Sequence, residues 1–113
     1  MAYVTVRHMN DEDFRNISCM FNREEIIQYT KTAFKNNRYE RVADLVLEGK
    51  LSNILEEAFR LTNSITFPWY QNADIQTNLK YNDGYRSTSI GDIIQVNGES
   101  YIVMPMGFEH IEG

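Results

Sequence analysis

The sequence contains few of the residues that mark cross-linked, membrane-embedded or metal-binding proteins. Among its 113 residues there is one cysteine, Cys19, which has no second cysteine to pair with inside the chain, and this favours a reducing compartment. No apolar run approaches the roughly 20 residues of a membrane-spanning helix, and no signal-peptide core follows Met1. We therefore expect a soluble cytosolic protein that makes no membrane contact, with Cys19 buried in its core.

Residues that carry catalysis or bind metals are equally scarce. The two histidines, His8 and His110, lie near opposite ends of the chain, and we expect surface imidazoles, although the two could meet if the terminal strands pair. A glycine-rich phosphate loop is absent, because Gly91 has no second glycine at nucleotide-binding spacing. The sequence therefore predicts no enzyme activity, no cofactor and no metal ion.

Basic residues are in the minority. The chain has 11 lysines and arginines against 16 aspartates and glutamates, so its net charge is −5, which argues against a nucleic-acid backbone as the main partner. Hydrophobic residues nevertheless make up 42% of the chain and aromatic residues 12%, which is typical of a folded globule. We expect a single domain over residues 1–113, because a domain usually takes about 100 to 150 residues.

The first half of the chain has the pattern of one strand followed by three or four short helices. Residues 2–8 alternate between apolar and polar, with Val4 and Val6 on one face. Asn10 and Asn22 each precede a helical pattern and have the chemistry of N-terminal caps.

Helical spacing continues through the middle of the chain. An interruption at Asn36-Asn37 is followed by more residues at helical spacing, so the second helix is predicted to end only at Gly49. Ser52 is predicted to cap the third helix. The inward-facing residues of these stretches are Tyr39, Val42, Ala43, Val46, Leu47, Ile54, Leu55, Ala58, Phe59 and Thr62. The helical part thus spans about residues 10–64.

The remaining part, about residues 65–113, is predicted to hold a long connection and a small sheet. Residues 65–85 are rich in asparagine, aspartate and glycine, and the alternation over residues 75–79 indicates one short strand within them. A last strand is predicted around Phe108 and Ile111.

The clearest local signal is a hairpin. Asn97-Gly98 joins two strand-prone runs, and both residue types suit the positive φ angles of a tight turn. The predicted register places Ile93 opposite Ile102 and Ile94 opposite Tyr101. We expect an α+β fold, in which this antiparallel hairpin and the N-terminal strand form a small curved sheet packed on the helices.

Two groups of residues in this part are candidates for a binding surface. The first follows Pro68 and contains aromatic residues of the kind that anchor interfaces. The second precedes the hairpin and offers a guanidinium group, hydroxyls and a carboxylate. The candidate surface consists of Trp69, Tyr70, Asn72, Arg86, Ser87, Ser89 and Asp92.

Both groups also have a structural interpretation. Trp69 can pack in the core beside its aromatic neighbours instead of standing at the surface. The hydroxyls of the second group can satisfy backbone amides in a loop that enters a strand, with Arg86 paired to Asp92 or Asp83. The two interpretations predict different burial for the same side chains.

Three short motifs follow one another towards the C-terminus: a Thr-Asn-x-Ile step, a Trp-x-x-Asn step and an Arg-Ser-x-Ser-Ile-Gly-Asp-Ile step, before a tyrosine and a Gly-Phe pair. They occupy Thr62, Asn63, Ile65, Trp69, Asn72, Arg86, Ser87, Ser89, Ile90, Gly91, Asp92, Ile93, Tyr101, Gly107 and Phe108. In this order they resemble a family of small tailed-phage accessory proteins, over about the C-terminal half of the chain. The hairpin is also similar, more loosely, to the YodL-type module of mobile-element proteins, with Ile102 in place of that module's second tyrosine.

The resemblance implies a phage setting in the host cytoplasm, without implying a reaction. We expect a non-enzymatic accessory protein that binds a host or phage macromolecule, with a protein as the favoured partner, and modulates it in host takeover or anti-defence. There are two alternatives. One is a small nucleic-acid-binding module, with aromatic residues stacking on bases beside Arg86, and the other is a minor structural protein of the virion. An enzyme would need Asp92, Arg86 and His110 to converge.

Overall fold

The computed structural model describes residues 1–20, 22–63, 76–77 and 87–112. Over these ranges the chain forms a six-stranded antiparallel sheet and three helices. The strands are β1 (Ala2–Met9), β2 (Tyr39–Leu47), β3 (Gln76–Thr77), β4 (Ile93–Val96), β5 (Glu99–Val103) and β6 (Phe108–Ile111), and the helices are α1 (Asp11–Ile17), α2 (Arg23–Lys35) and α3 (Leu51–Leu61). The predicted α+β class is confirmed.

The N-terminal strand lies in the middle of the sheet. The strand order is β3-β2-β1-β4-β5-β6, so β1 pairs with β2 on one side and with β4 on the other. The prediction that β1 joins the hairpin is therefore confirmed, with Val4 opposite Val96 and Val6 opposite Ile94. The sheet is larger than predicted, because β2 and β3 extend it beyond β1.

Helices cover both faces of the sheet. Ile93 and Ile94 are neighbours on β4 and point to opposite faces, and each is fully buried. Ile94 packs in a core with Val4 and Val6 that includes the buried side of α3, whereas Ile93 packs in a second core that includes the buried sides of α1 and α2. The domain is therefore a sheet between two helical layers, with one hydrophobic core on each side.

The segment Tyr39–Leu47 corrects one prediction, since it is the strand β2 and not the end of a helix. The second helix ends at Lys35, and Asn37 follows with a φ of 56°. The β1–β2 register shifts between Val6 and Arg7, which leaves Val42 as an extra residue on β2. The predicted helical part over residues 10–64 thus contains a nine-residue strand.

The helix starts agree with prediction at α1 and α2 but not at α3. The side chain of Asn10 accepts a hydrogen bond from the N–H of Asp13, and that of Asn22 accepts bonds from Glu24 and Glu25. The cap position of α3 is Lys50, which makes no side-chain cap bond, and the predicted cap Ser52 lies inside the helix. Gly49 does not end a helix, because it lies between β2 and α3.

The hairpin forms at Asn97-Gly98, where both residues have positive φ angles of 50° and 89°. Ile93 pairs with Ile102 and Ile94 with Tyr101, as predicted. The strand β6 then continues the hairpin into three antiparallel strands. In the described ranges no helix is both long enough and apolar enough to cross a bilayer.

Candidate functional site

The motif residues on either side of the long connection meet in space. At the end of α3, Thr62 accepts a backbone hydrogen bond from the N–H of Thr88 at 2.8 Å. The Asn63 side chain donates to the carbonyl of Thr88 at 3.0 Å. Residues 62–63 and 88, which are 25 or 26 positions apart in the sequence, are therefore in direct contact.

A buried polar cluster, formed by His8, Thr62, Thr88 and Asp92, lies under this junction. Thr62, Thr88 and Asp92 are fully buried, and His8 is 4% exposed. The Thr62 hydroxyl donates to the Ala58 carbonyl at 2.8 Å, and the Thr88 hydroxyl donates to the Thr62 hydroxyl at 2.7 Å. Thr88 therefore has no proton left for His8, whose Nε2 is 2.8 Å away, and we infer that Nε2 carries the proton and donates.

The Asp92 carboxylate joins β1 to the turn that precedes β4. Its Oδ1 accepts from the N–H of Met9 at 3.0 Å, and its Oδ2 accepts from the N–H of Ser89 at 2.8 Å. His8 Nε2 lies 3.9 Å from the same Oδ2. Backbone amides thus stabilise a carboxylate that has no contact with water.

Gly91 is required in the same turn on two grounds. Its φ is 92°, which favours glycine, and a Cβ atom there would lie 2.7 Å from Cδ1 of Ile17. Its carbonyl accepts a 2.6 Å hydrogen bond from the Tyr39 hydroxyl, and its N–H donates to Val103. The Gly-Asp step therefore has a structural explanation at both residues.

The structure locates only part of the predicted surface. Ser87 and Ser89 are half-buried, and the Ser89 hydroxyl donates to the Ser87 carbonyl at 3.1 Å. Asp92 is interior and so does not contribute to a surface. Ile90, which lies between Ser89 and Asp92 in the sequence, is 37% exposed. Trp69, Tyr70, Asn72 and Arg86 lie outside the described residues, as does the predicted pairing of Arg86 with Asp92 or Asp83.

Two predictions about single residues are wrong. His8 is a buried member of the polar cluster and not a surface imidazole, because period-two alternation places it on the same face as Val4 and Val6. Cys19 is exposed and not a core thiol, because α1 ends at Ile17. The two histidines do not meet, since His110 lies on β6, with β4 and β5 between that strand and β1.

The buried polar cluster combines the residue types of a nucleophilic site without its geometry. In a catalytic triad the hydroxyl and the carboxylate contact different imidazole nitrogens, whereas Thr88 and Asp92 both approach Nε2 of His8. His110 is exposed and bonds to Glu99 at 2.8 Å, whereas Asp92 is fully buried. Within the described ranges no three His, Cys, Asp or Glu side chains gather in a way that could hold a metal ion.

Part of the buried polar cluster is recognisable in the sequence. Thr62 and Asp92 belong to the motifs behind the family resemblance, but nothing in the sequence links those motifs to His8, which is 80 residues from Thr88. The available signal for His8 was its place in the alternation with Val4 and Val6. Searches against protein-family models, curated proteins and solved structures find no match to this chain.

Proposed function

We propose that this chain is a non-enzymatic accessory protein of a tailed phage, which binds a host or phage protein in the host cytoplasm and alters its activity. The proposed surface joins the turn over residues 87–91 to Trp69, Tyr70, Asn72 and Arg86. The family resemblance supplies the phage setting. The partner is proposed to be a protein because the net charge of −5 disfavours a nucleic-acid backbone.

Binding is favoured over catalysis because the reactive side chains of the turn are buried and its exposed side chain is apolar. The hydroxyl of Thr88 and the carboxylate of the neighbouring Asp92 are fully buried and bonded to other groups of the protein. Its outward residue, Ile90, is apolar and 37% exposed. An exposed apolar side chain among half-buried hydroxyls suits contact with another protein better than attack on a substrate.

The junction of Thr62 with Thr88 also supports this surface. The segment that carries Trp69, Tyr70 and Asn72 starts and ends at this junction. The residues that flank this segment in the sequence, Thr62 and Thr88, therefore lie beside the turn over residues 87–91. The buried polar cluster then acts as the base of a binding surface.

The test is capture of host or phage proteins by variants at this turn. Ile90→Asp places a charge at the proposed surface, and Met106→Asp places the same charge at a residue that is 86% exposed in the turn before β6. We expect a partner that is retained by the wild type and by Met106→Asp and is lost with Ile90→Asp and with Trp69→Ala/Arg86→Ala. Retention by every folded variant would contradict the proposed surface.

The same experiment separates the alternatives. Retention that disappears after nuclease treatment and falls steeply with salt would indicate a nucleic-acid-binding module. Detection of the chain in purified phage particles at a fixed copy number would indicate a virion protein. Either result would replace the accessory-protein proposal.

A further inference from the structure

The strand β6 (Phe108–Ile111) lies at the end of the sheet. It pairs with β5 on one side, and in the described part of the chain no strand pairs with its other side. The opposite end of the sheet is formed by β3, which has only two residues. An edge strand of four residues offers backbone donors and acceptors to an added strand.

The hydrogen-bonding pattern identifies which backbone groups of β6 point outward. Met104 N donates to the Gly107 carbonyl at 3.1 Å, so the antiparallel alternation makes Ile102 with Glu109, and Ser100 with Ile111, the hydrogen-bonded pairs. The N–H and C=O groups of Phe108 and His110 therefore point away from β5.

A groove runs beside this edge. Its volume is about 780 Å³, and it lies between the C-terminal end of α2 and β6. Phe34 and Ile111 provide apolar surface, and Lys31 and Lys35 line the α2 side. Glu112 lies at the end of β6. An added strand would point every second side chain towards α2 and into this groove.

The charged side chains that line the groove favour an acidic ligand. Lys31 and Lys35 are exposed, four residues apart on one face of α2, and they outnumber the single carboxylate of Glu112 among the groove's lining residues. The other carboxylate on this edge, Glu109, is paired with Arg23. In a protein of net charge −5, this groove is a local cationic site that suits an acidic partner.

We propose that β6 accepts an extended acidic segment of a partner protein as an additional strand. Backbone hydrogen bonds to Phe108 and His110 hold the segment, its acidic side chains contact Lys31 and Lys35, and an apolar side chain between them packs on Phe34. The edge is separate from the turn over residues 87–91, so this proposal does not depend on the proposed function.

The test uses a fluorescent nine-residue peptide, TETLTETLT, in which glutamate and leucine alternate on one face. Its controls are TKTLTKTLT, which reverses the charge, and a TETLTETLT peptide with N-methylated threonine amides on the edge that would pair. Fluorescence anisotropy against the full chain measures each affinity. We expect binding of TETLTETLT alone, with affinity that falls as salt is added.

Variants of one residue separate backbone pairing from side-chain contact. His110→Pro removes an outward N–H without removing a bond to β5, a position at which an edge strand tolerates proline. His110→Ala keeps that N–H and removes the imidazole. We expect His110→Pro to bind at least about tenfold more weakly than His110→Ala, which loses the same imidazole and its contact with Glu99 but keeps the N–H. Lys31→Glu/Lys35→Glu should weaken binding by about threefold to tenfold.

Amide hydrogen exchange of the wild type tests the proposal even where His110→Pro fails to fold. Saturation with TETLTETLT should slow exchange at the amides of Phe108 and His110 and leave the inward amide of Glu109 unchanged. Failure of TETLTETLT to bind, equal binding by folded His110→Pro and His110→Ala, or unchanged exchange at both outward amides would overturn the proposal. A concentration-dependent dimer whose formation is lost in His110→Pro would identify a second copy of the chain as the occupant and overturn the acidic partner.

Discussion

The buried carboxylate of Asp92 accepts hydrogen bonds from two backbone N–H groups, those of Met9 and Ser89. Substitution Asp92→Asn turns one oxygen into an amide donor, which then faces the N–H of either Met9 or Ser89. We expect a loss of about 1–3 kcal/mol in the free energy of unfolding, because one buried donor is left without an acceptor. Urea denaturation followed by circular dichroism measures this loss.

The exposed Asp11→Asn provides the control for Asp92→Asn. Asp11 lies in the first turn of α1, and its substitution should cost less than about 1 kcal/mol. Equal costs for the two substitutions would show that the contacts of Asp92 contribute no stability of their own.

Thr30 presents the opposite situation on α2. It is fully buried, and its hydroxyl has no hydrogen-bond partner among the described residues. We expect Thr30→Val to leave stability unchanged or raise it by up to about 1 kcal/mol, because the unpaired hydroxyl gains nothing from burial.

Thr62→Val is the matched comparison, since the Thr62 hydroxyl bonds to both Ala58 and Thr88. It should lower the unfolding free energy by about 1–3 kcal/mol in the same denaturation assay. A destabilised Thr30→Val with a stable Thr62→Val would reverse our assignment of the two hydroxyls.

The strand β2 has the residue spacing of a helix because it contains a bulge. Val42 and Ala43 are adjacent, and both are fully buried, since the extra residue at Val42 interrupts strand alternation. Two adjacent inward residues followed by buried Leu45 imitate the pattern of a helix face. A bulge depends on the partner strand, which lies about 35 residues away, so local periodicity does not reveal it.

The hairpin was predictable because all its determinants are local. Asn97 and Gly98 adopt the positive φ angles that their residue types favour, and the register of the strands follows from the turn length. One further contact of the turn is not local. Asn97 Oδ1 accepts a hydrogen bond from the N–H of Tyr3 at 2.9 Å, and this bond links the turn to β1.

Two glycines with similar backbone angles should respond differently to alanine. Gly98 has a φ of 89°, and no atom lies within 4 Å of the position that a Cβ would take. Gly98→Ala should therefore lower the free energy of unfolding only by the cost of holding alanine at a positive φ, about 1–2 kcal/mol. Gly91→Ala meets Cδ1 of Ile17 at 2.7 Å in addition, and it should cost about 1–3 kcal/mol more. Thermal and urea denaturation of both variants measures the difference.

A double variant tests the cause of that difference. Ile17→Val removes the Cδ1 atom, so Gly91→Ala/Ile17→Val should lose about 1 kcal/mol less than the sum of the two single losses. Additive losses would place the strain in the backbone alone.

The helices α1 and α2 are joined by a tyrosine–carboxylate contact with a pH consequence. The Tyr29 hydroxyl donates to Oδ1 of Asp13 at 2.5 Å, and this bond raises the pKa of Tyr29 above its ordinary value of 10.0. A raised pKa in the folded state gives a stabilising contribution that is complete below about pH 10 and is lost as the pH rises through the folded pKa.

We therefore expect the stability advantage of the wild type over Tyr29→Phe to be constant below about pH 10 and to shrink towards about pH 11. Urea denaturation of both proteins at about pH 7 and about pH 11 measures this advantage. An advantage that grows with alkaline pH would contradict the assigned donor and acceptor.

The arrangement of the whole sheet was only partly accessible from the sequence. The alternation in β1 predicted a strand, and its membership of the sheet was predicted correctly. Its central place depends on β2, whose sequence has the periodicity of a helix, so the sequence does not reveal the order of the strands. The contact of residues 62–63 with Thr88 likewise requires the tertiary fold, although the motifs themselves are recognisable in the sequence.

The central place of β1 has a consequence for how the protein is made. Residues 4–7 pair with residues 93–96, so a ribosome must synthesise most of the chain before β1 can find its second neighbour. Until then β1 and β2 form a pair whose open side carries unpaired amides and carbonyls, which are templates for intermolecular strand pairing. Truncated chains that stop before Ile93 should therefore aggregate, whereas the full chain of 113 residues should stay dispersed, and light scattering at equal concentration measures the difference.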